Sequence, residues 1–173
     1  KELGMEIVIT DHHDIPIREN YKGELKETVP SADAIINPKR SDCKYPFKNL
    51  CGAGVALKFS KCLYDEFEID EEKFLDLIQF ASIATVCDVV YLVDENRIIV
   101  KKGLELLNNT KNFGIQELKK STGLSDKRIE EYHLGFVIGP CINATGRLET
   151  ADLSVELLIT DDVNKAKALA NQL

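Results

Sequence analysis

The sequence predicts an α/β fold in which a small parallel sheet at the N-terminal end is flanked by helices and followed by a mainly helical half. Three observations carry this expectation. Two short β-branched runs, Met5–Thr10 and Ala34–Asn37, stand ahead of Arg40. From Gly52 onward the apolar residues recur at helical spacing almost to the end of the chain. The 173 residues, 44% apolar and 29% charged, suffice for one compact unit with a real core.

Taken in order, Met5–Thr10 reads as a buried strand that breaks at Asp11 into a polar loop. His12–Val29, with Pro16, Gly23 and many charges, reads as an irregular excursion. Ala34–Asn37, closed by Pro38, is the second strand. A helix starts at Gly52, carries Val55, Leu57, Phe59, Cys62, Leu63 and Phe67, and ends near Asp65–Glu68. Asp70, followed by Glu71 and Glu72, opens a second helix reaching about Ala84, because carboxylates favour the positive end of a helix. Val89–Leu92 is a short extended or turn segment, and Asp94–Leu107 resumes helical spacing through Ile98, Val100 and Leu104. Phe113–Lys120 is a shorter helix, and Glu130–Phe136 another, opened by a Ser125–Asp126 cap. After a break at Gly139–Pro140, Ala151–Ile159 and Val163–Leu173 close the chain. With a strand at its first residues and a helix at its last, the chain is expected to be part of something larger, its first strands exposed as sheet edges.

A net charge of −7 argues against a broad basic face for nucleic acid, so any such contact must be local. The acidic balance suits a metal site instead. No apolar run approaches the ~20 residues that cross a bilayer, and no basic segment leads into an apolar stretch. The expectation is a soluble cytoplasmic protein. Five cysteines, with no C-x-x-C pair, fit reduced thiols, and Cys51, Cys62 and Cys87 read as small hydrophobes among Ala, Val, Leu and Ile.

Four segments could carry chemistry. Thr10-Asp11-His12-His13-Asp14 sets two imidazoles and two carboxylates at a strand exit, a donor set that suits Mn²⁺, Fe or Zn, or else forms an exposed polar turn. In Ala84–Val90 a single carboxylate, Asp88, interrupts an apolar run; such a group needs a cation, a metal or several donors, or caps a helix. Gly52-Ala53-Gly54 allows close backbone approach, for a phosphate or for helix packing. Gly135–Leu148 reads as a loop between helices, in which Asn143 and Arg147 either grip an oxyanion or tie the loop down, with Arg147 paired to Glu149 or Asp152.

In this order the segments I-V-I-T-D-H-H, I-I-N-P-K-R, L-C-G-A-G-V-A-L-K, A-T-V-C-D-V-V-Y-L-V-D-E-N-R and G-F-V-I-G-P-C-I-N-A-T-G-R-L resemble the DHH phosphoesterase superfamily and, within it, the RecJ-like members. The likeness covers nearly the whole chain, and the G-P-x-I-N-A-x-G-R block separates RecJ-like proteins from the smaller enzymes of the superfamily. It implies a DHH-type core and a hydrolase using two divalent cations, Mn²⁺ or Mg²⁺, that degrades single-stranded DNA from its 5′ end in repair and recombination. Carried onto this sequence, it makes His12 and Asp88 ligands of one metal, has Asp11 support the histidines, turns His13 to the scissile phosphate, and sets Asn143 and Arg147 near the nucleic-acid backbone. Residues 1–92 would then be the C-terminal part of the catalytic core, and residues 93–173 a helical remainder leading to an accessory domain. A single-strand-binding protein or a helicase is the partner such a family implies.

The same likeness brings departures. The family's D-x-D block and a further metal-ligand aspartate precede the D-H-H, upstream of Lys1, so this stretch alone is expected to bind metal poorly and to be inactive. Cys141 stands where RecJ-like proteins often carry arginine. Two rival readings are a DHH hydrolase of short oligonucleotides or cyclic dinucleotides, disfavoured by I-N-A-T-G-R, and a non-catalytic replication scaffold, disfavoured by the presence of Asp11, His12, His13 and Asp88.

Overall fold

A computed structural model describes residues 4–148 and 151–173, with the side chains of residues 145–148 outside the description. The predicted α/β class holds. Strands β1 (Val8–Thr10) and β4 (Ala34–Ile36) form a parallel pair in the register Val8↔Ala34, Ile9↔Ile35, Thr10↔Ile36. Among the described residues eight α-helices follow, α1 (Gly52–Glu66), α2 (Glu71–Cys87), α3 (Asp94–Asn108), α4 (Phe113–Ser121), α5 (Glu131–His133), α6 (Gly139–Leu148), α7 (Asp152–Ile159) and α8 (Val163–Ala170), with a π-helical segment between α5 and α6.

Several expectations need correction. Residues 12–29 are not irregular: β2 (Ile17–Glu19) and β3 (Leu25–Glu27) pair antiparallel. Their turn is built by Asn20, whose side-chain oxygen accepts from the N–H groups of Lys22 and Glu24, and by Gly23 at φ 78°. The expected buried strand Met5–Thr10 is shorter and not buried: β1 has Val8 51% exposed, and Met5 ahead of it is 58% exposed. Cys62 is exposed, not a core residue.

The larger correction concerns Gly135–Leu148, which is helix and not loop. Leu134–Ile138 is a π-helical segment, in which Gly139 N–H reaches back to Leu134 O, and α6 continues from it. Pro140 explains the geometry: in a regular helix its ring would collide with the carbonyl four residues earlier, and the wider π turn removes that collision. The preceding α5 is capped by Glu130 and His133 through reciprocal bonds, not by Ser125–Asp126.

Helix α2 is the backbone of the fold. It starts at Asp70, whose carboxylate accepts from Glu72 N–H at 2.9 Å, and ends three residues later than expected, at Cys87. Its first part packs on α1, α3 and β4 through Leu50, Val55, Leu57, Ala81 and Ile99 with Ile36. Its last part enters a second cluster, where Ile83 meets Leu107, Ile115, Leu118, Leu134, Ile138 and Leu157. Each of these fully buried aliphatic side chains contributes about 1.5–3 kcal/mol over its exposed state. Gly103 of α3 lies so close to Ser82 of α2 that an added Cβ would sit 2.1 Å from Ser82 Cβ. Gly139 does the same toward Cys87 Sγ, at 2.2 Å, and Gly135 approaches Val86. The two glycines thus dock the π segment and the start of α6 against the last turn of α2, fixing the helix end that carries Asp88.

Candidate functional site

Three pieces of chain meet at this site: the exit of β1, the start of α1 and the end of α2. Asp11 follows Thr10 directly, and its N–H still bonds Ile36 O of β4 at 2.9 Å. One of its oxygens accepts from His12 N–H at 2.7 Å, His13 N–H at 3.2 Å and the His13 ring Nδ1 at 2.7 Å. Partial burial pushes the Asp11 carboxyl up, but the His13 ring and the two backbone donors outweigh it and hold the group below the ordinary aspartate value. Because Nδ1 of His13 donates to that carboxylate, its Nε2 is left to face solvent.

The His12 ring turns inward. It rests on Gly52, whose Cα would carry a Cβ 3.3 Å from His12 Cδ2, and its Nδ1 lies 3.5 Å from Asp88 Oδ2. The two histidine rings are 4.3 Å apart between centroids at 46°, so adjacent residues do present both imidazoles to one place, which a regular strand would forbid. The histidine segment is held from below by Asn37, buried at 2% exposure, which donates to His13 O and accepts from Lys39 N–H, both at 2.9 Å. Lys39 in turn pairs with Asp14 at 3.0 Å.

Asp88 is the C-terminal cap of α2, its N–H bonded to Ala84 O at 2.9 Å. Its side chain is 41% exposed, so the expected buried carboxylate is instead a cap opening toward solvent and toward His12. The next residue, Val89, has φ 56°, a left-handed conformation that a β-branched side chain rarely adopts. Burial and the nearby Asp88 carboxylate both raise the Cys87 thiol, which stays protonated at neutral pH.

The Gly52–Gly54 pair serves packing. Gly52 makes room for His12, and Gly54 closes on Leu50. Cys51 caps α1 through its sulfur, which accepts from Gly54 N–H at 3.3 Å and lies 3.4 Å from Thr85 Oγ1, tying the start of α1 to the last turns of α2.

Asp11, His12, His13 and Asp88 are therefore brought together, whereas Asn143 is not part of that cluster. Asn143 is exposed on α6 and borders an apolar cavity of about 170 Å³ with Ala84 and Cys87. The Arg147 side chain lies outside the described residues. Sequence reasoning missed Asn37 and the Cys51–Thr85 link; a lone asparagine between a strand and Pro38 was the available signal for the first. Among the described residues no group of three or more His, Cys, Asp and Glu side chains is arranged to hold a metal ion. What exists is a pair, one imidazole nitrogen and one carboxylate oxygen at a separation compatible with two adjacent positions around a single cation. No helix among the described residues is long and apolar enough to cross a membrane.

No family model matches the chain. It is 40% identical over 173 residues to the single-stranded-DNA-specific exonuclease RecJ of Bacillus subtilis, covering 100% of this chain and 20% of that protein. With RecJ of Escherichia coli it shares 34% over 183 residues, again 100% of this chain and 30% of the relative. Among solved structures, RecJ from Thermus thermophilus in complex with Mn²⁺ superposes with a TM-score of 0.78 at 29% identity, over 99% of this chain and 24% of the other. Exonuclease RecJ bound to manganese gives 0.79 at 29% identity, over 99% and 40%. The chain thus spans a fifth to a third of the length of the curated relatives it matches.

Proposed function

From the correspondence of this chain, in sequence and in fold, to a segment of the RecJ exonucleases, we propose that it supplies one wall of a metal-dependent phosphodiesterase centre that degrades single-stranded DNA from the 5′ end. The observation that carries this reading is the approach of His12 Nδ1 to Asp88 Oδ2, 3.5 Å, between residues on different elements and without a hydrogen bond joining them. An imidazole nitrogen and a carboxylate oxygen so placed suit a divalent cation such as Mn²⁺, and the family likeness adds Mg²⁺.

In this reading His12 and Asp88 hold a cation between β1 and α2. Asp11 keeps the histidine segment in place and fixes the His13 tautomer. His13, the more exposed of the two imidazoles, is free to hydrogen-bond a phosphate oxygen or protonate the leaving oxygen. When bound, a pair of divalent cations supplies a water that ionises near neutral pH and offsets charge on the phosphodiester. Asn143 and Arg147, on α6 beyond the last turn of α2, are assigned to the backbone of the strand. Residues 1–92 form the catalytic part and residues 93–173 the helical part that carries α6. The family likeness extends the proposal to a single-strand-binding protein or helicase as partner in repair and recombination.

The test is Mn²⁺-dependent release of nucleotides from 5′-labelled single-stranded DNA by the native protein carrying this sequence. His12→Ala and Asp88→Ala are each expected to lower the rate on the order of 100-fold or more. An unchanged rate in either variant removes the assignment. Inactivity of the unsubstituted protein on DNA would move the search to short oligonucleotides.

A further inference from the structure

Asn96, in the first turn of α3, is wholly buried and hydrogen-bonds neither His12 nor Asp88. Its amide donates to two carbonyls from separate parts of the chain, Asn49 O at 2.7 Å and Tyr91 O at 3.0 Å. Asn49 stands just ahead of Leu50 and Cys51, both buried, and of Gly52, against which the His12 ring rests. Tyr91 stands just after Asp88 and the left-handed Val89. One side-chain amide therefore joins the segment that seats the histidine to the segment that carries the aspartate.

We infer that Asn96 is a positioning residue which sets the separation of His12 and Asp88 and, through it, the affinity of that pair for a divalent cation. The inference rests on the cation-binding reading of the pair. Three features support it. The residue type is dictated by the partners: two carbonyl oxygens require two N–H donors, and an isosteric aspartate would set acceptors against acceptors. The segment it holds has left-handed backbone at both Val89, φ 56°, and Asp94, φ 44°, and such geometry persists only where the surroundings over-determine it. The other end of the amide is not used for packing economy either, because Asn96 Oδ1 is buried with no protein partner among the described residues. A buried amide with one atom unsatisfied is costly to keep, which argues that its two donated bonds do something an apolar residue could not.

The experiment compares the native protein with Asn96→Asp and Asn96→Ser, the second retaining one shorter donor. Three quantities are read: the Mn²⁺ concentration at half-maximal nucleotide release, the rate at saturating Mn²⁺, and amide hydrogen exchange at residues 49–52 and 89–93. A positioning role predicts that Asn96→Asp raises the half-saturating Mn²⁺ about tenfold or more, the range found when groups supporting metal ligands are removed. The rate at saturating Mn²⁺ should return to near the native value, exchange should quicken in both segments, and Asn96→Ser should fall between. A folded Asn96→Asp or Asn96→Ser protein with half-saturation within twofold of native, and exchange unchanged in either segment, overturns the inference. If the native protein itself shows no response to Mn²⁺, the cation-binding reading fails and this inference fails with it; the exchange data then report only whether the link between the two segments exists.

Discussion

The imidazole of His12 lies flat enough on Gly52 that a single methyl group at residue 52 would stand 3.3 Å from its Cδ2. A helix start and an imidazole of the proposed site thus compete for the same few tenths of an ångström. Gly52→Ala is expected to leave stability unchanged or raise it slightly, because alanine is better than glycine in a helix by about 1 kcal/mol. The ring, however, must move away. The prediction is a loss of about tenfold in Mn²⁺ affinity with an unshifted melting temperature, checked by calorimetric titration beside thermal unfolding.

Val89 has the opposite character. Its side chain is 88% exposed, so it loses no packing on truncation, while its φ of 56° is unfavourable for a β-branched residue. Val89→Gly is expected to stabilise the fold by up to about 1 kcal/mol in urea denaturation. A destabilisation of similar size would show that the greater freedom of glycine in the unfolded chain outweighs the relief at φ 56°.

At Gly103 and Ser82 α3 packs directly against α2 with no room for a side chain on Gly103. Gly103→Ala is expected to cost about 1–3 kcal/mol by forcing the helices apart. Ser82→Ala cannot relieve it, since the Ser82 Cβ itself stands 2.1 Å from the added atom. Ser82→Gly should relieve most of it, so the two substitutions must be strongly non-additive in a denaturation cycle.

Glu95 of α3 accepts from Tyr45 Oη at 2.7 Å and pairs with Lys58 of α1. Burial raises its carboxyl, but the Lys58 and Tyr45 bonds prevail and hold it below the ordinary glutamate value. A carboxylate depressed in the folded state stabilises above its unfolded pKa, and that contribution is lost as pH falls through the folded value. Glu95→Gln should therefore destabilise by about 1 kcal/mol at pH 7, a figure reduced because Lys58 is partly exposed. The gap between the two proteins should close as the pH is lowered through the acid range, measured by denaturant titration at successive pH values.

Much of the architecture was legible because it rests on local signals. Asp70, Glu71 and Glu72 mark the start of α2, and the apolar spacing of Val55, Phe59, Cys62 and Leu63 marks α1. The hairpin β2–β3 was not legible, because Ile17-Arg18-Glu19 and Leu25-Lys26-Glu27 are exposed and mostly charged; only Asn20 and Gly23 pointed to a turn. Gly139–Pro140 reads as a break because proline ordinarily ends a helix; the π turn that lets the helix run through it leaves no signal in the apolar spacing. At the site, D-H-H and Asp88 were visible as residue types. Their meeting was legible only through the family likeness, which made His12 and Asp88 ligands of one metal; residue spacing does not show it, because it rests on the room left at Gly52 and on the hydrogen bonds of Asn37 and Asn96.

In the proposed site His12 and Asp88 serve one cation. The most direct measurement is a double-substitution cycle in Mn²⁺ affinity on the native protein, using His12→Ala, Asp88→Ala and both together. Two ligands of one ion predict that each single substitution weakens binding on the order of 100-fold, and that the double variant is little worse than the weaker single, because the site is already lost. Losses that multiply independently, or singles that bind Mn²⁺ as well as the native protein, would contradict the account.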